Sequence, residues 1–92
     1  MESSDEASLR DIADRLLAND FHAYIRHDGA TPFLFALGAK ESHSVDFRRR
    51  DKALVIEYWY GHPDDDFISE QVVPTFEAAF GPISAGLARD AA

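Results

Sequence analysis

Phe21-His22-Ala23-Tyr24-Ile25-Arg26-His27-Asp28-Gly29-Ala30-Thr31-Pro32-Phe33-Leu34-Phe35-Ala36-Leu37 is the stretch that decides the fold. Successive side chains of a strand point to opposite sides. Phe21, Ala23 and Ile25 therefore share one face of an extended segment over about residues 20–27, and Phe33, Phe35 and Leu37 share one face of a second over 32–38. Asp28-Gly29 between them is turn chemistry, glycine tolerating the positive φ that a tight hairpin needs. The two apolar sets meet on one side only if odd positions pair with odd. A three-residue Asp28-Gly29-Ala30 loop with a bulge meets that condition, whereas a two-residue turn would send the sets to opposite faces.

Working outward, two more strands are expected over 42–49 and 53–60, bounded by Gly38-Ala39-Lys40-Glu41 and Arg50-Asp51. Short connections make all four strands an antiparallel meander. A two-residue Arg50-Asp51 turn sets Val45 and Phe47 opposite Ile56 and Leu54. The expected core face is then Phe21, Ala23, Ile25, Phe33, Phe35, Leu37, Val45, Phe47, Leu54, Ile56 and Tyr58. Its reverse carries His22, Tyr24, Arg26, Leu34, Ala36, Ser44, Asp46, Arg48, Val55, Glu57 and Trp59.

Leu9, Ile12, Ala13, Leu16 and Leu17 recur at the spacing of one helical face, which predicts a helix over about 6–18. Ser3 with Glu6, or Ser8 with Asp11, would cap its start, and Asn19 suits a left-handed exit. Beyond Gly61-His62-Pro63, the run Asp64-Asp65-Asp66 offers caps for a second helix. Ile68, Val72, Phe76, Ala79 and Phe80 follow at helical spacing, predicting a helix over 66–80. Pro74 would kink it or open a shorter helix near Val73. Residues 1–5 and about 83–92 read as loosely ordered tails, the latter with at most a turn of helix at Ile83–Leu87.

The fold class is therefore α+β: a single domain spanning 1–92, with a four-stranded antiparallel meander and an N-terminal and a C-terminal helix on one face, α-β-β-β-β-α. In outline this is similar to small bacterial adaptor-type α+β folds, including some toxin-immunity proteins and secretion chaperones. The likeness is one of element order, with no residue motif of any such family present.

Composition narrows the function classes. Ninety-two residues, 46% of them apolar, suffice for one small core and no second domain. Nine Lys and Arg against 17 Asp and Glu give a net charge of −8, which argues against nucleic acid and anionic membranes as partners. There is no cysteine, which removes thiolate chemistry and disulfides. The acidic start Met1-Glu2-Ser3-Ser4-Asp5-Glu6 is unlike a signal peptide, and no apolar run reaches bilayer length, so a cytoplasmic location is expected. Seven Arg against two Lys, with 14 Ala, point to a GC-rich bacterial genome.

Candidate chemistry is sparse. His22, His27, His43 and His62 show no metal-ligand spacing, and the best cluster, His62 with Asp64, Asp65 and Asp66, reads first as helix capping. Ser42, His43 and Ser44 are adjacent, so as strand neighbours they point to opposite faces and form no nucleophile–base pair. Asp46, Glu57 and Arg48 read as a cross-strand surface network, and Arg48-Arg49-Arg50 with Lys52 as a solvated hairpin end. No catalytic residue, metal or cofactor is expected, and an enzyme is the less favoured class.

The expected function is a non-enzymatic protein-interaction module, adaptor-like, chaperone-like or immunity-like, that binds through the outer sheet face. Its expected contact residues are Tyr24, Leu34, Arg48, Val55, Glu57 and Trp59. The partner is a protein of basic charge, favoured by the −8 of this chain, or a second copy in a homodimer. The alternative is a small-molecule-binding or minor enzymatic domain with a pocket between the C-terminal helix and the sheet, near His43, Tyr58 and His62.

Overall fold

The computed structural model describes residues 4–61 and 66–91. Helix α1 (Ser4–Ala18) leads into strands β1 (His22–Asp28), β2 (Thr31–Leu37), β3 (His43–Arg50), β4 (Ala53–Tyr60) and β5 (Asp66–Val73). A 3-10 turn at Glu77–Ala79, helix α2 (Phe80–Leu87) and a second 3-10 turn at Ala88–Ala91 follow. The sheet is an antiparallel meander in the order β1-β2-β3-β4-β5. A helix, an antiparallel sheet and a C-terminal helix are thus present as expected, but the sheet has five strands rather than four.

The fifth strand corrects the helix expected over 66–80. Val73 precedes Pro74, whose ring disfavours helical backbone at the residue before it. Ile68, Val72 and Val73 are β-branched, and β4 offers them a free edge. Helical structure begins only after Pro74, where the Ala78 amide donates to Thr75 Oγ1 at 3.1 Å. The segment from 83 onward is mostly helical rather than loose, with Ile83 and Leu87 fully buried.

α1 ends on a paired C-terminal motif. The Phe21 amide donates to the Leu16 carbonyl at 3.1 Å and the Asp20 amide to the Leu17 carbonyl at 3.2 Å. Asp20, not Asn19, takes the left-handed backbone (φ 70°), while Asn19 Nδ2 donates back to the Arg15 carbonyl. Leu17, expected on the buried face, is exposed. Of the caps considered for the start, Ser3 lies outside the described residues.

The first hairpin departs most from expectation. Asp28 pairs directly with Thr31, leaving a two-residue Gly29-Ala30 turn with positive φ (63°) at its glycine. That is the glycine-first pattern of a tight primed hairpin turn. Ile25 consequently lies opposite Leu34 and Ala23 opposite Ala36. Leu34 and Ala36 turn inward at 0% exposure, and Phe33, Phe35 and Leu37 turn outward. The physical reason is space. α1 packs against β1 and β2, and the small facing pair Ala23 and Ala36 in the shared core lets the helix approach, where a phenylalanine would need far more room. In the second hairpin the turn is Asp51-Lys52, one residue later than expected, so Phe47 faces Ile56 and Val45 faces Tyr58. A shift of two in register leaves every side chain on its expected face.

The core lies between the sheet and both helices. Leu9, Ile12 and Leu16 of α1 and Ile83 and Leu87 of α2 meet Leu34, Val45, Phe47 and Ile56 from the sheet. Asp5 accepts two hydrogen bonds from Arg49 at 2.8 and 3.1 Å, and Glu6 pairs with His27 at 3.1 Å, tying α1 to β3 and β1.

Candidate interaction surface

Both helices lie on one side, so no described helix covers the other face of the sheet. Strand register arranges it in rows. One row runs His22, Leu37, Ser44, Trp59, Phe67; the next Tyr24, Phe35, Asp46, Glu57, Glu70; a third brings Arg26 beside Phe33 and Arg48 beside Val55 and Val72. Of the residues expected to bind a partner, Tyr24, Arg48, Val55, Glu57 and Trp59 are on this face. Leu34 is not: it sits in the core, and Phe33, Phe35 and Leu37 stand where it and Ala36 were placed. Sequence reasoning missed those three because their side depends on the length of one turn.

The open face buries much of its own apolar surface. Val55 is 2% exposed and Phe35 9%. Long side chains supply the cover. The Arg26 guanidinium lies 4.3 Å above the Phe35 ring and that of Arg48 4.3 Å above Phe33, with Tyr24 stacked on Phe35 at 6.4 Å. Trp59 meets Phe67 edge-on at 5.3 Å. Ion pairs fix the arginines: Arg48 lies 3.6 Å from Asp28 and 3.8 Å from Asp46, and Arg50 bridges Glu57 at 3.2 Å and Glu70 at 3.0 Å. Donating hydrogen bonds to the Glu70 carboxylate raises the Arg50 pKa above its ordinary value.

Three buried polar atoms on this face, Ser44 Oγ, Arg48 Nε and Trp59 Nε1, have no hydrogen-bond partner among the described residues. Each such orphan costs about 1–3 kcal/mol relative to a paired or solvated group. The face is also close to neutral, since Arg26, Arg48 and Arg50 stand among Asp28, Asp46, Glu57 and Glu70. Nearly all of the net −8 therefore lies elsewhere.

On the helix side, a cleft of about 410 Å³ separates α2 from the sheet edge, lined by Tyr58, Ser69, Gln71, Pro82, Ala85, Gly86 and Arg89. The Tyr58 hydroxyl donates to Gln71 Oε1 at 3.0 Å. Burial pushes the phenol pKa up, and the nearby Arg89 charge pulls it back. His43 does not line this cleft; its ring packs on Tyr60 at 4.7 Å. His62, Asp64 and Asp65 lie outside the described residues, and among the described residues no group of three His, Asp or Glu could hold a metal ion. No described helix is long and apolar enough to cross a membrane.

The molecule is thus an α+β domain built on a five-stranded antiparallel meander with one covered and one open face. No protein-family model, curated protein or solved structure matches the chain.

Proposed function

We propose that the protein is a non-enzymatic interaction module that receives a protein partner on the open sheet face. One observation carries this reading. Tyr24, Phe33, Phe35, Trp59, Phe67 and Val72 share a face that no helix covers, interleaved with Arg26 and Arg48, and tyrosine, tryptophan and arginine are the residues that dominate interface energetics. The near-neutral charge of that face also lets a second copy approach there, while the acidic remainder steers a basic partner.

A photo-crosslinking side chain placed at Tyr24, against one at Leu17 on the helix side, tests the proposal; both positions are exposed. In lysate of the source cells, Tyr24 should give a discrete adduct that Leu17 does not, and an adduct of twice the chain mass would identify a second copy. Equal labelling at both positions, or none, refutes the assignment.

The cleft beside Tyr58 favours a second reading, a ligand site between the C-terminal helix and the sheet. Its volume falls within the roughly 300–1,000 Å³ of ligand pockets, and it combines an apolar wall with a few polar groups.

A further inference from the structure

The cleft does not close on itself. α2 packs on β3, and its Gly86 meets the Tyr58 ring of β4 so closely that an added Cβ would come within 2.8 Å of Tyr58 Cε1. The helices reach no further, so Ser69 and Gln71 on the helix-side face of β5 are left as an uncovered floor. Beyond them is the sheet edge. Among the described residues β5 pairs only with β4, and every residue of it except Val73 is exposed, including Phe67, Ile68 and Val72. One whole side of its backbone ladder is therefore without a strand partner.

Two features mark one end of this groove. The β4–β5 register shifts between Tyr58 and Trp59, making Ile68 the extra residue of a bulge. Arg89 stands beside that end, close to Tyr58, Ser69 and Ile68. In a chain of net charge −8, it has no carboxylate partner among the described residues.

We propose that the β5 edge and this cleft together bind the C-terminal end of an extended polypeptide, which adds as a sixth antiparallel strand and delivers its free carboxylate to Arg89. The proposal rests on the reading of the cleft as a ligand site and names the ligand. An antiparallel strand runs opposite to β5, so its C-terminus arrives at the N-terminal half of β5, where the bulge and Arg89 are. Alternate side chains of the added strand enter the cleft against Tyr58, Pro82 and Ala85, which selects apolar residues at every second position near the terminus. Backbone hydrogen bonds to β5 supply affinity that is independent of sequence, and the carboxylate on a guanidinium sets direction and register. A free small carboxylate would use Arg89 and the cleft but leave the β5 ladder unpaired.

The test is a selection on the full chain from a display library of random heptapeptides with free C-termini, followed by synthesis of the enriched sequences. Enriched peptides should alternate apolar residues towards the terminus and protect β5 amides from hydrogen exchange. Amidating the peptide, or changing Arg89→Gln, should each weaken binding at least about tenfold, the loss of one charge-assisted contact. Ala85→Trp should abolish binding by filling the cleft. Ala85 and Arg89 are exposed, so both variants should retain the wild-type circular dichroism. No enrichment, peptides that bind Ala85→Trp equally well, or indifference to amidation would each overturn the proposal. N-Acetylphenylalanine titrated in parallel separates the two ideas. If it perturbs Tyr58 and Gly86 while no peptide protects β5, the cleft is a small-ligand site and the strand-addition proposal fails. If neither binds, both fail.

Discussion

The two faces of this sheet bury apolar residues by different means. On the helix side, Leu34, Phe47 and Ile56 are sealed by α1 and α2, and almost nothing polar is trapped with them. On the open side, Phe35 and Val55 are nearly as inaccessible, yet Phe35 lies under Arg26 and Tyr24 of the same sheet and Val55 lies beside Arg48 on the neighbouring strand. The open side also holds Ser44 Oγ, Arg48 Nε and Trp59 Nε1 without partners among the described residues. An apolar residue at Ser44 would avoid that cost, so stability does not account for the composition of the open face. A cover of arginine and tyrosine side chains over an apolar floor is what a partner can displace or clamp.

The comparison can be broken most directly by truncation on each side. Phe47→Ala, which empties a site closed on all sides, should cost about 3–5 kcal/mol in denaturant unfolding. Phe35→Ala should cost less, about 1–3 kcal/mol, because Arg26 and Tyr24 can settle into the vacated space or water can enter it. Equal losses would show that the open face is as rigidly sealed as the core.

A smaller effect sharpens the same point. Trp59→Phe removes the orphaned indole N–H while keeping most of the ring contact with Phe67. It should leave the melting free energy within about 1 kcal/mol of wild type, with any change towards higher stability. A clear destabilisation would mean that the N–H is satisfied in solution.

The smallest effect concerns the link between α1 and the sheet. The Arg49 hydrogen bonds hold the Asp5 carboxyl below its usual pKa, and those of Arg10 and His27 do the same for Glu6. A carboxyl whose folded pKa is depressed binds fewer protons folded than unfolded. Its contribution is present above the unfolded value of about 4 and disappears as pH falls through the folded one. Asp5→Asn should therefore cost at most about 1 kcal/mol at neutral pH, since the pair is largely exposed, and flatten the stability profile below about pH 4. An unchanged acid limb would show that the helix is held by its apolar face alone.

The strands of residues 22–60 and the helix before them were legible because their apolar alternation is local. The faces of β1, β3 and β4 follow from parity, which is why Tyr24, Arg48, Val55, Glu57 and Trp59 were placed on the outer side from sequence. β5 was not legible as a strand, because Ile68 and Val72 also fit a helical period with Phe76 and Phe80. The one local signal against the helix was Val73 before Pro74. A pocket between the C-terminal helix and the sheet near Tyr58 was expected from sequence, but its floor, Ser69 and Gln71 of β5, was missed for the same reason.

By itself, the sequence determined the element types up to Tyr60, the antiparallel order of the first four strands and the acidic balance of the surface. Each follows from spacing, turn chemistry or composition within a few residues. Tertiary structure alone decided which side of the sheet Phe33, Phe35 and Leu37 occupy, and that residues 66–73 extend the sheet. Both outcomes turn on long-range fit. α1 needs the small pair Ala23 and Ala36 beneath it, and that need sets the Gly29-Ala30 turn; the edge of β4 offers backbone pairing to residues that would otherwise wind into a helix.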